Sequence, residues 1–99
     1  MRLSPRDRST IRETAREVFG DMVRVRVFGS RIDDQARGGD IDLLVESSEI
    51  LPDRQRKALT FVARLQRRLG DQPFDVLVVD PDTKRQEIHR NALRQGVGI

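Results

Sequence analysis

Polar and apolar residues follow a two-residue period or form short apolar runs in three segments of the chain. Residues 23–28 alternate between apolar side chains and arginine before ending on Phe28, and residues 40–45 begin Asp-Ile-Asp before becoming fully apolar. Residues 74–79 are apolar except for Asp75. Such segments are typical of β-strands, so the sequence predicts three strands.

Three further segments have helical spacing. Ser4 and Pro5 resemble the cap and first-turn proline of a helix that Gly20 ends. A second helix is predicted from about Asp53 to Leu69, and its apolar stripe consists of Ala58, Phe61, Val62, Leu65 and Leu69. Residues 80–82, Asp-Pro-Asp, are interpreted as the cap and start of a last helix that carries Ile88, Ala92 and Leu93. The expected fold is therefore one α/β domain over residues 1–99: a two-layer arrangement in which helices pack on a small mixed sheet.

Composition limits the classes of function. The chain has 99 residues, no cysteine, and 19 basic against 16 acidic residues. The near balance favours a solvated surface, although the basic residues leave nucleic acid open as a partner. Without a long apolar segment or a signal-peptide pattern, we expect a cytoplasmic protein without disulfides or membrane spans.

Two carboxylates and a small-residue turn form the candidate chemistry. Gly29-Ser30-Arg31 follows the first strand, and Asp40 and Asp42 project to one side of the second. Carboxylates that lie close together repel unless a cation lies between them, and magnesium prefers oxygen ligands together with substrate phosphates. A two-metal site favours a third acid, for which Asp75 is the candidate if its strand lies beside the second. We also expect Asp75 to need a metal or a basic neighbour, because its strand has the composition of a buried one.

Each feature taken alone has a simpler interpretation. A Gly-Ser pair is usually only a turn, and Asp-x-Asp often marks a solvated strand end. Arg31 is either a phosphate ligand or a surface residue, and the single histidine, His89, is interpreted as a capping or packing residue. The combination of turn, paired acids and third acid favours a metal-dependent phosphate chemistry.

Residues 27–31, 36–46 and 75–78 together resemble the minimal nucleotidyltransferase domain of the DNA polymerase beta superfamily, and residues 88–97 resemble the way these small proteins end. The resemblance implies a nucleotidyltransferase fold in which Gly29, Ser30 and Arg31 contact the nucleotide. It also implies that Asp40, Asp42 and Asp75 hold two magnesium ions and that Asp75 helps to deprotonate the acceptor. One departure is that nine residues, 31–39, separate Ser30 from Asp40, where the family usually has about ten.

Proteins of this family often resemble the antitoxin of a toxin–antitoxin pair whose other member is an all-helical HEPN-type ribonuclease. The resemblance therefore implies an adenylyltransferase that moves AMP from ATP to a hydroxyl group of such a partner. Two alternatives remain open at this point: a catalytically idle module that neutralises a partner by binding, and a transferase acting on RNA. The sequence does not decide whether the chain forms a homo-oligomer.

Overall fold

The computed structural model describes residues 3–28, 41–84 and 86–99, which form three helices and four strands. In chain order these elements are α1 (Pro5–Phe19), β1 (Val23–Phe28), β2 (Ile41–Ser47), α2 (Arg54–Leu69), β3 (Phe74–Val79), α3 (Glu87–Gln95) and β4 (Val97–Gly98). None of the helices formed by these residues is long and apolar enough to cross a bilayer.

The strands form one mixed sheet in the order β3-β2-β1-β4. β1 is antiparallel to β2 and to β4, whereas β2 and β3 are parallel. A parallel pair needs a long crossover connection, and α2 supplies it. The last strand, β4, lies beside β1 at the end of the chain, where the Ile99 amide donates a 3.0 Å hydrogen bond to the Val25 carbonyl.

Alternation along the strands separates two apolar clusters, one on each face of the sheet. The larger cluster joins α1 and α2 to the strand residues with odd numbers in β1 and β2 and even numbers in β3, among them Val27, Leu43 and Phe74. The smaller cluster joins α3 to the opposite face through Leu44 and Val79. The predicted α/β class is confirmed: α1 and α2 form the principal helical layer, and α3 packs on the other face.

The local signals for α1 act as predicted. The Ser4 hydroxyl accepts a 3.0 Å hydrogen bond from the Asp7 amide, and Pro5 occupies the first turn. Gly20 ends the helix with a φ of +96°, a left-handed conformation that favours glycine. The helix packs on α2 through an edge-to-face contact of Phe19 with Phe61, whose ring centres are 5.4 Å apart.

The interpretation of residues 80–82 as the start of the last helix is wrong, because α3 begins at Glu87. Asp80 instead has a fully buried side chain at the end of β3. Its carboxylate accepts four hydrogen bonds, from the Leu51 amide (2.7 Å), the Arg54 guanidinium (2.5 Å), the Asp82 amide (2.9 Å) and the Thr83 hydroxyl (2.9 Å). Asp80 thereby fixes the segment that leads into α2 against the end of β3.

These donors determine the ionisation of Asp80. Burial raises the pKa of an acid, but the hydrogen bonds, beginning with that from the Leu51 amide, outweigh it and lower the pKa of Asp80 to about 2. Because this value lies below the ordinary 3.8, the ionised carboxylate stabilises the fold above about pH 4. The contribution is lost as the pH falls through 2.

We expect Asp80→Asn to lower the free energy of unfolding by about 2 kcal/mol at pH 7, because the amide loses the charge that the four donors stabilise. The exposed Asp82 in the same turn provides the control, Asp82→Asn, which should change stability little. Urea unfolding at several pH values measures both variants against the wild type. The difference between wild type and Asp80→Asn should shrink below pH 4, and a difference independent of pH would contradict the assignment.

Candidate metal and nucleotide site

The register of the parallel strands brings two of the predicted site acids together. Asp42 of β2 and Asp75 of β3 are direct neighbours across the pair, flanked by the apolar pairs Ile41–Phe74 and Leu43–Val76. Adjacent strands lie about 4.8 Å apart, and side chains at paired positions project to the same face. The condition placed on Asp75, that its strand lies beside the strand of Asp42, is therefore confirmed.

The expectation that Asp75 is buried is wrong. Asp75 is exposed and Asp42 is half-buried, because β3 is the outermost strand of the sheet. The apolar composition of β3 comes from residues that pack under α2 or α3, such as Val76 and Val79. Water can solvate Asp75 on this outermost strand, and the metal or basic neighbour expected for it stays a prediction.

Phe28 continues the row of the two acids across the sheet. It is the last residue of β1 and lies directly opposite Asp42. Gly29 and Ser30 follow it in the chain, and Asp40 immediately precedes β2. The predicted site residues Gly29, Ser30, Arg31 and Asp40 lie outside the described residues. The described residues on either side of these positions, Phe28 and Ile41, lie at or next to the row formed by Phe28, Asp42 and Asp75.

Sequence reasoning did not assign a role to Phe28. Its packing can be recognised only once the β1–β2 register is known, because the alternation of residues 23–28 does not reveal which residue faces Asp42. Phe28 is partly buried against the smaller apolar cluster, together with Leu77 and Leu93. It thus provides an apolar wall on the side of Asp42 that faces away from Asp75.

The strand residues next to the acids hold them in place. Leu44 and Leu77, each two residues beyond its acid, are paired across the strands and pack with Ala92 of α3. Leu44 is completely buried. The backbone that carries the carboxylates is consequently fixed on both faces of the sheet, so the two acids keep their separation without a bound ligand.

The donor chemistry fits magnesium. Two carboxylates on one face supply hard oxygen ligands, and an open side leaves room for water and substrate phosphates. The described part of the chain contains no group of three potential metal ligands. It contributes Asp42 and Asp75, and the predicted third ligand, Asp40, precedes the described strand.

A second group of charges lies toward the opposite end of the same face. Arg26 forms a 3.7 Å ion pair with Glu46, and both side chains are about 30% exposed (30% and 28%). A cleft at this end is lined by Arg24, Glu46 and Asp80, among others. The carboxylate of Asp80 already accepts four hydrogen bonds from the protein. We therefore place the candidate metal site at the end of the sheet that carries Asp42 and Asp75.

His89 has the capping role that the sequence predicted. Its Nδ1 accepts a 3.0 Å hydrogen bond from the Gln86 amide at the start of α3. This bond leaves the imidazole occupied in holding the first turn of the helix. The structure gives no reason to add His89 to the candidate site.

Comparison with known proteins does not supply a family: no family model matches the chain, and no curated protein matches it significantly.

Magnesium should stabilise the fold through Asp42 and Asp75. At a concentration tenfold above its dissociation constant, a ligand of the folded state raises the free energy of unfolding by about 1.4 kcal/mol, or roughly 7 °C in Tm for a domain of this size. Thermal melts in EDTA and in a magnesium series measure the effect. Asp42→Asn and Asp75→Asn should each abolish most of the shift, whereas Asp21→Asn, before β1, should retain it. An equal shift in all variants would exclude this site as the magnesium ligand set.

Proposed function

We propose that the chain is a magnesium-dependent nucleotidyltransferase that moves AMP from ATP to a hydroxyl group of a partner protein. The observation that carries the proposal is the pairing of Asp42 with Asp75 on one face of the sheet. It is supported by the position of Phe28, which lies opposite Asp42 and directly precedes Gly29 and Ser30 in the sequence.

In this proposal the acids and the turn have separate tasks. Asp40, Asp42 and Asp75 hold the magnesium ions, and the Gly29-Ser30 turn and Arg31 contact the phosphates of ATP. Bound magnesium supplies positive charge that stabilises the attacking and leaving oxygens of the displacement. The fixed backbone of β2 and β3 places the carboxylates before the substrates bind, so little free energy is needed to organise them during the reaction.

The transfer step is an in-line displacement at the α-phosphorus. The acceptor oxygen forms a bond to this phosphorus while the bond to the oxygen bridging the α- and β-phosphates breaks, and pyrophosphate leaves. Asp75 assists removal of the acceptor proton, which passes to solvent. The exposure of Asp75 on the face of the sheet that carries Asp42 supports this role, because an acceptor on another macromolecule can approach it from that face.

The motif resemblance supports a partner protein as the acceptor. In that interpretation the chain is the antitoxin of a cytoplasmic pair, and the acceptor is a hydroxyl, such as that of a tyrosine, on an all-helical HEPN-type toxin. An RNA acceptor receives less support from the structure. Three of the six basic residues of α2 form ion pairs, Arg54 with Asp80 and both Arg64 and Arg68 with Glu17, which reduces the positive charge that α2 offers to a phosphate backbone.

Transfer should depend strongly on the acids and moderately on the turn. Asp42→Asn removes a metal ligand and should lower the transfer rate at least about a hundredfold without unfolding the protein. Ser30→Ala removes one hydrogen-bond donor and should cost about tenfold. The assay uses ATP labelled at the α-phosphate, magnesium, and the product of the adjacent gene, and follows label into protein or RNA. Wild-type transfer by both Asp40→Asn and Asp42→Asn would refute the catalytic assignment.

A catalytic antitoxin should act below stoichiometric amounts. With ATP and magnesium, one molecule of this protein should inactivate many molecules of the partner, and each inactivated partner should be heavier by one or more AMP groups. Titration of the partner's activity, combined with its intact mass, measures both effects. Protection that requires a one-to-one ratio, changes no mass and survives the double variant Asp40→Asn with Asp42→Asn would instead establish the binding module.

A further inference from the structure

The outer edge of β3 is the longest sheet edge that the described residues leave open. β3 has six residues and pairs on one side with β2, whereas the other outer strand, β4, has only two. Proteins usually protect a long apolar edge with charges, proline or a covering element, because its backbone groups can pair with another strand. Along β3 the only charged residue is Asp75.

The direction of the β3 backbone shows which groups point outward. The Ile41 amide donates to the Pro73 carbonyl at 3.0 Å, and amide and carbonyl groups alternate in direction along a strand. The backbone groups of Asp75 and Leu77 therefore point toward β2. Those of Phe74, Val76 and Val78 point away from it, toward the outer edge.

An uncharged stripe of α2 borders this edge. It consists of Gln55, Leu59, Val62 and Gln66, which lie within about 60° of arc on the helix. Leu59 is 74% exposed, and an apolar groove beside it is lined by Ala58, Val62, Phe74 and Val76, among others. The remainder of the exposed helix surface is rich in cations, since α2 has six basic residues and no acidic ones. The stripe is the side of α2 without charge.

The stripe is self-complementary. Its members are separated by four, three and four residues, in the order Gln, apolar, apolar, Gln. When two such helices lie antiparallel about a two-fold axis, Leu59 of one copy faces Val62 of the other, and Gln55 faces Gln66. An isologous dimer requires this property, because each patch must match itself after rotation.

The two-fold axis that relates two α2 stripes can also relate two β3 strands. The centre of the stripe lies six to seven residues after Arg54, about 10 Å along the helix. The outward-pointing residues of β3 are centred on Val76, which lies four residues before Asp80, about 13 Å along the strand. Arg54 and Asp80 form an ion pair, and α2 runs antiparallel to β3. The centre of the stripe and the centre of the strand therefore lie at similar positions along the strand direction.

We propose that a second copy of this chain pairs its β3 antiparallel to β3 and its α2 stripe against the α2 stripe, which gives a dimer with one continuous eight-stranded sheet. The axis is perpendicular to the sheet, so both α2 helices share one face and both Asp42–Asp75 pairs remain on the other. Phe74, Val76 and Val78 supply the hydrogen bonds between copies. The dimer does not depend on the proposed transferase activity.

This alignment has an electrostatic consequence. Arg56 of one copy lies near Arg67 of the other, on the solvent side of the paired helices, because both face away from the core. Their repulsion is screened by salt, whose Debye length falls from about 10 Å at 0.1 M to about 3 Å at 1 M. The dimer should therefore tighten as salt is added, whereas binding of an acidic partner to the cationic helix would weaken.

Sedimentation equilibrium of the full chain tests the proposal. Leu59→Lys should raise the dimer dissociation constant at least about a hundredfold, because the symmetric interface loses two buried leucines. The similarly exposed Met22 lies before β1, away from this edge, so Met22→Lys should leave the constant within about twofold. A mixture of Leu59→Lys with Val62→Glu should recover a heterodimer, since the ammonium group introduced in one copy then faces the carboxylate introduced in the other. Thermal melts establish that each variant is folded.

Residue-specific amide exchange provides the second measurement. The amides of Phe74, Val76 and Val78 should exchange more slowly as protein concentration rises, while those of Asp75 and Leu77, which already point toward β2, should show no comparable change. A monomer at several hundred micromolar, or a dimer that Leu59→Lys does not weaken, would overturn the proposal. A monomer that acquires protection at these three amides only when an extended peptide is added would assign the edge to a different partner.

Discussion

The parallel register of β2 and β3 is the constraint on which the candidate site depends. It is fixed by apolar side chains on the α1–α2 face, where Ile41 lies beside Phe74 and Leu43 beside Val76. Burial of these residues decides which side of each strand faces the helices. The carboxylates then have only the opposite face available, so the packing of the core brings Asp42 and Asp75 together.

Much of the fold could be predicted because its signals are local. The limits of α1 follow from Ser4 and Gly20, and those of β1 from strict alternation, so sequence and structure agree there. Asp80 illustrates the opposite case. An aspartate before a proline is typical of a helix N-cap. The groups that donate hydrogen bonds to Asp80, however, belong to Leu51 and Arg54, which lie 29 and 26 residues earlier in the chain. No local pattern contains that information, because the contacts exist only after α2 has crossed over the sheet.

The site could be predicted in part for the same reason. Alternation within β2 indicates the side on which Asp42 projects, but no periodicity reveals which strand is its neighbour or that β3 is outermost. The exposure of Asp75 therefore differs from what its apolar sequence neighbours indicate. Strand order is a property of the whole sheet, and it converts an apparently buried acid into one that is open to solvent and to other macromolecules.

The acid in β3 also has a consequence for the folding of its strand. Side chains alternate between faces, so a shift of β3 by one residue against β2 would turn Asp75 toward the α1–α2 core. A carboxylate placed there without partners would cost several kcal/mol, while its apolar neighbours alone would tolerate either face. Asp75 therefore disfavours the shifted register of β3 against β2. If valine replaced it, both faces of β3 would be apolar, and the strand would lose this discrimination between the two registers.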